Sequence, residues 1–182
     1  INGQRYSFDK SLNAIARDTP AHRNGNSPLA NTLTDKNNQY FSSPIPAFSG
    51  NFEGLGNTIS NLTIHSDSGS QVGLFGELLS SAVIRDLGLT AVNIGGGAGQ
   101  AIGALVGYSV SHPTVTNVYA TGSISGEKDS AIGGLVGVST FGSINNSYAD
   151  VSVSAGDGAF AAGGLVGFFE GDPGDVIDRS YA

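Results

Sequence analysis

The pentad Gly-Gly-Leu-Val-Gly occurs twice in the chain, at residues 133–137 and again at residues 163–167. A variant with Ala in second place occupies residues 103–107, and a shortened form, Gly-Leu-Phe-Gly, occupies residues 73–76. The copies are spaced by about 30 residues, and a fixed period of that size is typical of proteins in which each repeat covers its neighbour's apolar face. The pentad therefore predicts successive coils of one solenoid.

A second recurring pattern follows each glycine-rich segment. It mixes alternating apolar and polar residues, and its copies lie at residues 58–64, 83–89, 114–120, 143–149 and 176–182. A third pair of positions follows in three coils: Val92/Ile94, Gly122/Ile124 and Val151/Val153. Three short strands per coil are the plan of a parallel β-helix. We therefore predict an all-β fold, a parallel β-helix solenoid of about five coils, right-handed by the usual crossover rule.

The second pattern contains a break that predicts a corner. In its first copy, Ile59 and Leu62 are three residues apart, whereas Leu62 and Ile64 restore the alternation of a strand. A bend at Asn61 would turn both sets inward, and Asn tolerates the left-handed conformation that such a corner needs. Aligning the copies places these residues at one corner, where we interpret the asparagines as corner residues rather than ligand contacts: Asn61, Asp86, Asn117, Asn146 and Arg179. The same alignment points these residues outward: Thr63, Gly88, Tyr119, Tyr148 and Tyr181.

Residues 1–47 do not share the repeat and are predicted to cap a repeat domain at residues 48–182. Within them, the apolar spacing at residues 11–17 predicts a short helix, and the polar residues 23–39 predict a loop. Atypical terminal segments are expected because a solenoid must cover its first apolar layer and its first strand edge. The predicted coils lie near residues 48–72, 73–102, 103–132, 133–162 and 163–182.

The composition argues against several classes of partner and site. The net charge is −7 and only 8 residues are Lys or Arg, which argues against nucleic acid or an anionic membrane as partner. The chain has no Cys, so neither disulfides nor thiolate metal sites are available. No stretch approaches the roughly 20 apolar residues of a membrane span, so we do not expect membrane insertion. Because the chain also lacks Met, we expect it to be part of a larger polypeptide.

The repeats resemble the GLUG repeat, named for its Gly-Leu-apolar-Gly core. The pentads carry the likeness together with the Tyr-Ala pairs of the second pattern, and residues 48–64 resemble the first coil of such arrays. Proteins with similar repeats are secreted bacterial surface proteins: adhesins like filamentous haemagglutinin, other exoproteins, and regions of metallopeptidases that cleave immunoglobulin A. The resemblance implies an extracellular parallel β-helix at the bacterial cell surface, and it implies no chemistry of the repeat itself.

Catalysis has little support in the sequence. The zinc motif of the peptidases, His-Glu-x-x-His, is absent, because none of His22, His65 and His112 is followed by Glu. There is also no Gly-x-Ser-x-Gly nucleophile elbow and no phosphate loop of the Walker type. We therefore expect a non-enzymatic module without a cofactor.

The leading prediction is an adhesin module that acts as a rigid stalk. Such a module would also offer a possible binding surface for a glycan or protein on a host or bacterial cell. A carbohydrate-active β-helix, either a polysaccharide lyase or a glycan-binding domain, is the first alternative. A pure structural spacer is the second.

Two sets of side chains are candidate sites. Three phenol rings, those of Tyr119, Tyr148 and Tyr181, would stack on an outer face, where exposed aromatics can pack on sugars. The simpler interpretation is that these rings cover the wall and satisfy β-propensity. The second set is a group of carboxylates around a Gly-Asp-Pro-Gly turn: Glu170, Asp172, Asp175 and Asp178. Carboxylates in a glycine-rich turn suit calcium, although their spacing matches no EF-hand loop and Asp-Pro-Gly is a common turn in its own right.

Overall fold

The computed structural model describes Leu12 and residues 25–182 of the chain. Every regular element between residues 25 and 182 is a β-strand, and the chain winds as a solenoid of about five turns. The strands are β1 (Asn26–Pro28), β2 (Leu33–Thr34), β3 (Ile45–Phe48), β4 (Asn51–Glu53), β5 (Thr58–Ser60), β6 (Thr63–Ser66), β7 (Gln71–Val72), β8 (Phe75–Leu78), β9 (Val83–Gly96), β10 (Ala101–Gly103), β11 (Val106–Val110), β12 (Thr114–Gly126), β13 (Ala131–Gly133), β14 (Val136–Thr140), β15 (Ser143–Asn145), β16 (Tyr148–Ala155), β17 (Ala161–Gly163), β18 (Val166–Glu170) and β19 (Ile177–Asp178).

The strands form three walls, and every strand pairing is parallel. Wall one is a ten-stranded sheet that runs β1-β4-β9-β12-β15-β19, with β2, β5, β6 and β16 beside this path. Wall two has the order β17-β13-β10-β7, and wall three has the order β18-β14-β11-β8-β3. Each wall therefore takes strands from successive coils, which confirms the predicted all-β parallel solenoid.

Equivalent residues of successive coils lie beside one another, because the strands pair in register. Ile102 pairs with Ile132 in wall two, and Val106 pairs with Val136 in wall three. Inward columns of this kind fill the interior with Leu, Ile and Val, most of them fully buried. At the N-terminal end the core is aromatic: the ring of Phe75 lies 5.3 Å from that of Phe48 and 5.4 Å from that of Phe52. The repeat period thus becomes a column of like side chains.

The glycine-rich pentad forms a corner between two walls. Its recurrence predicts one strand per coil, but this prediction is wrong, because β13 ends at Gly133, and Gly134 and Leu135 form a bend before β14 begins at Val136. The bend turns both apolar residues inward, so Leu135 and Val136 are 0% and 1% exposed. A Cβ at Gly133 would collide with the carbonyl oxygen of Val136, so only glycine permits so tight a bend between the two strands.

The predicted corner in the second pattern is confirmed for four coils. Asp86, Asn117, Asn146 and Arg179 all have left-handed backbones, with φ between 45° and 55°. The Nδ2 group of Asn117 donates a hydrogen bond of 2.9 Å to Oδ1 of Asp86, so the corner side chains interact between coils. Long strands run through this corner, since β9 spans 14 residues and β12 spans 13.

Asn61 is left-handed as predicted, with φ of 60°, but it lies at a different corner. Ser60 pairs with Thr90, so Asn61 stands beside Ala91, whose φ is 51°. In this coil Glu53 pairs with Arg85, so Gly54 stands beside Asp86, and the left-handed residue is the next one, Leu55, with φ of 55°. The alignment was wrong because the second pattern of this coil begins in β4 rather than in β5: Asn51 pairs with Val83.

The outward column changes accordingly in the same coil. Thr63 pairs with Asn93 and not with Gly88, so its place in the column was also wrong. The residue beside Gly88 is Thr58, which lies in β5. The remaining members of the column keep their predicted places, because Tyr119 pairs with both Gly88 and Tyr148.

Strands also occur within the predicted capping segment, residues 1–47. β1, β2 and β3 pair with β4, β5 and β8, and Tyr40 forms a bridge with Ile64. The polar stretch at residues 23–39, predicted as a loop, thus contains two short strands, because Leu29 and Leu33 offer side chains to the core while Asn26 bonds to Asn51. The helix predicted at residues 11–17 lies outside the described residues except for Leu12, which is buried.

Candidate functional site

The three candidate tyrosines form one stack on the outside of wall one. The ring of Tyr148 lies 5.1 Å from that of Tyr119 and 5.3 Å from that of Tyr181, and both pairs are 6° from parallel. A Cβ at Gly88 would lie 2.5 Å from the Tyr119 hydroxyl. The absence of a side chain at Gly88 therefore leaves room for the Tyr119 ring to lie over the coil that contains Gly88. The sequence therefore predicted the column of rings, and the structure shows that they meet face to face.

This geometry limits what the tyrosines can contact. The ring of Tyr148 has Tyr119 on one face and Tyr181 on the other, so it offers its edge and its hydroxyl rather than a flat platform. Burial raises the pKa of Tyr148 above its ordinary value of 10.0, and the neighbouring phenols of Tyr119 and Tyr181 raise this pKa further. Tyr181 is 65% exposed. The stack therefore provides cohesion between coils and a row of hydroxyl groups.

Two of the four predicted metal-binding carboxylates converge, and they do so on a histidine. Asp172 and Asp175 follow β18 and lie with His112, which lies between β11 and β12; one ligand atom from each lies within 4.8 Å of the others. Asp178 instead pairs with Arg179, 2.9 Å away. Glu170 ends β18 and is no member of this group. We call His112, Asp172 and Asp175 the turn cluster.

Asp175 is the most constrained member of the turn cluster. Its Oδ2 accepts a hydrogen bond of 2.9 Å from the backbone N–H of Asp172, and its Oδ1 lies 3.2 Å from Nδ1 of His112. The backbone hydrogen bond from Asp172 lowers the pKa of Asp175, and bonds from His112 and the Gly142 backbone lower it further against the opposing effect of burial. Its side chain is 9% exposed, against 56% for His112. Asp175 thus fixes the turn cluster to the backbone of its turn, whereas the side chains of His112 and Asp172 are open to solvent.

Sequence reasoning missed the place of His112, because this residue is not part of a recognised metal-binding motif. The usable signal was its separation of 63 residues from Asp175, close to two repeat periods. Two periods along a solenoid return the chain to the same corner two coils away. The ring of His112 also lies 5.4 Å from that of Phe141, which belongs to the coil between them.

A shallow groove of about 290 Å³ crosses the outside of walls two and three. Its lining includes Gln100, Tyr108, Asp129 and Phe160. Gln100 is only 3% exposed and donates from Nε2 to the Gly69 carbonyl, whereas Phe160 is 67% exposed. No pattern in the sequence pointed to this groove, because its residues come from strands and turns of four different coils.

Within the part of the chain that the structure describes, no helix has the length and apolar character to cross a membrane.

Comparison with known proteins identifies the repeat. Residues 98–125 and 129–154 match the family model described as the GLUG motif. Halomucin from Haloquadratum walsbyi is 33% identical to this chain over 125 residues. The match covers 69% of this chain and 1% of halomucin, so the chain spans a very small part of this relative. No solved structure matches the chain. The chain therefore contains a GLUG-repeat region, folded as a parallel β-solenoid.

Proposed function

We propose that this chain is a rigid, non-enzymatic module of an extracellular surface protein, in the manner of an adhesin stalk. The observation that carries the proposal is that repeated side chains are used for contacts between coils. Inward Leu and Val residues form core columns, Asn117 bonds to Asp86 across the corner, and the tyrosine rings stack. Side chains and backbone ladders that tie each coil to the next make a stiff rod.

The comparisons support a surface protein. The match covers 1% of halomucin, as expected for a repeat module within a very long polypeptide. The name halomucin marks that relative as a mucin, and mucins are extracellular. The resemblance to repeats of secreted adhesins favours the same location. A low content of charged residues, 13%, and frequent Gly also suit a structural array.

A glycan- or protein-binding role of the tyrosine stack is the second candidate. The ring of Tyr148 is covered by Tyr119 on one face and by Tyr181 on the other, so a sugar cannot pack against either face of this ring. The hydroxyl groups remain as donors and acceptors along the stack. If the stack binds a glycan, its hydroxyl groups carry most of the interaction.

Two triple variants separate the structural role from binding. Replacing Tyr119, Tyr148 and Tyr181 by Phe keeps the rings and removes the hydroxyls, whereas replacing them by Ala removes the stack. The proposal predicts that the Phe variant unfolds at the wild-type temperature and that the Ala variant loses about 2 kcal/mol of stability. A glycan array and an attachment assay with cells displaying each variant supply the second readout. Loss of attachment in the stable Phe variant would establish the binding role, and product release from an acidic polysaccharide would overturn the non-enzymatic assignment.

A further inference from the structure

The turn cluster joins two coils across the coil between them. In wall three, β14 separates β11 from β18. His112 follows the first of these outer strands, whereas Asp172 and Asp175 follow the second. Residues that meet in this way are held by three successive backbones, so their mutual positions depend on the stacking of the solenoid and not on one flexible loop.

The two ring nitrogens of His112 face different carboxylates. Nδ1 lies 3.2 Å from Oδ1 of Asp175, within hydrogen-bonding distance, and Nε2 lies 3.9 Å from Oδ2 of Asp172, beyond it. In the neutral ring that donates from Nδ1, the lone pair is on Nε2 and is directed away from the ring. That lone pair and the Asp172 carboxylate are both electron-rich, so the 3.9 Å gap between them suits a cation.

The same arrangement recurs at metal centres. A metal-binding His commonly donates its other ring N–H to a carboxylate, which fixes the tautomer and the ring orientation. Here Asp175 can take that role, and its side chain is held by the Asp172 backbone at 2.9 Å. Two ligands on a tetrahedral zinc ion are separated by about 3.4 Å, given the usual zinc–nitrogen and zinc–oxygen bond lengths. The gap therefore needs to close by about half an ångström.

We propose that the turn cluster is a binding site for a divalent transition-metal cation, with zinc the best match, and that the bound ion fastens coils two apart. Imidazole nitrogen favours zinc over calcium, which takes oxygen ligands. Two carboxylates and a neutral imidazole carry the charge that compensates a dication. Exposure of 56% at both His112 and Asp172 leaves an entry path from solvent and coordination positions for water.

The test is metal titration of the full 182-residue chain, free of any affinity tag and pretreated with chelator. Zinc chloride should bind with one site in calorimetry and raise the unfolding temperature, and cobalt chloride should give the visible absorption of a nitrogen- and oxygen-coordinated ion. His112→Asn removes the imidazole while tolerating the backbone φ of 58° at this position, and Asp172→Asn removes the second carboxylate. Each should weaken zinc binding at least about tenfold.

His65→Asn is the matched control, because His65 is also exposed and lies outside the cluster. It should bind zinc as the wild type does. Asp175 is left intact, since its loss would disturb the turn itself. The proposal is overturned if zinc leaves the unfolding temperature of the wild type unchanged, or if His112→Asn binds zinc with wild-type affinity. An equal stabilisation of wild type and His112→Asn by calcium chloride would instead assign a carboxylate-only site and overturn the role of the imidazole.

Discussion

Residues 133–137 and 163–167 have one sequence in two environments. Leu135 and Val136 are 0% and 1% exposed, whereas Leu165 and Val166 are half-buried. The Leu135 N–H donates to the Leu165 carbonyl at 2.9 Å, and the Leu135 carbonyl accepts from Leu105 N–H at 2.9 Å. The first pentad is thus bonded to a coil on each side. The second pentad is covered by described residues on one side.

This difference shows that the burial of a residue in a solenoid depends on the coils stacked on either side of it and not on its sequence motif alone. In a repeat protein each unit is stabilised by its neighbours, so stability is the sum of the interfaces that a coil makes. The same substitution should therefore cost more in the interior copy than in the later copy. Four predictions measure how far that holds in the chain of residues 1–182.

The largest difference is expected for Val in place of the second glycine of each pentad. A Cβ at Gly134 would collide with the Gly164 carbonyl oxygen and lie 2.8 Å from the Cβ of Ala149. At Gly164 the nearest atom is the Ala182 Cβ, 2.6 Å away. Because backbone yields less easily than this alanine, Gly134→Val should cost about 3 kcal/mol or more and Gly164→Val about 1 kcal/mol. Urea unfolding of both variants checks this, and equal costs would contradict the comparison.

Removal of the leucine side chain should give the next largest difference. Leu135→Ala leaves a cavity in the closed core and should cost about 3 kcal/mol, whereas Leu165→Ala should cost about 1 kcal/mol because that site is already half open to water. Thermal or denaturant unfolding of each variant measures the cost. If Leu165→Ala were as damaging as Leu135→Ala, the later copy would be covered to the same degree in solution.

The left-handed corner formed by Asp86, Asn117, Asn146 and Arg179 extends the comparison to polar residues. Asn117 has a φ of 55° and donates to Asp86, while Arg179 holds the same corner with a φ of 45° in the later coil. Asn117→Ala should cost about 1–2 kcal/mol, because Ala is strained in the left-handed region and the hydrogen bond is lost. Asn117→Gly is the control, since it loses the bond without the strain and should cost less. A larger loss for the Gly variant, seen by urea unfolding, would show that the strain is unimportant.

The smallest effect is expected from the titration of the tyrosine stack. The pKa of Tyr148 is raised in the folded protein by burial and by the flanking phenols, so the unfolded chain ionises first as the pH rises. The stability linked to this group is complete below about pH 10 and is lost as the pH rises through the folded pKa. Tyr148→Phe should therefore show a smaller fall in unfolding temperature between about pH 9 and 11 than the wild type. Identical falls would exclude a contribution from Tyr148.

The repeat period and residue chemistry were enough to predict much of the fold. The spacing of the pentads predicted the coils, and the tyrosines were correctly placed in one outward column. The asparagines predicted left-handed corners because few other residues accept that conformation. The alignment failed at Asn61 because this first coil is less regular than the later ones, and strand pairing alone shows which residues stand side by side.

The sequence by itself determined that like residues stack, since a fixed period in a parallel solenoid brings equivalent positions into register. Only the tertiary structure decided that the pentad turns a corner, because that depends on close approach of backbone atoms around Gly133. It also decided that His112 meets Asp172 and Asp175, residues that share no motif and meet only after two turns of the chain. Local pattern specifies each coil, whereas burial and the turn cluster arise from contacts between coils.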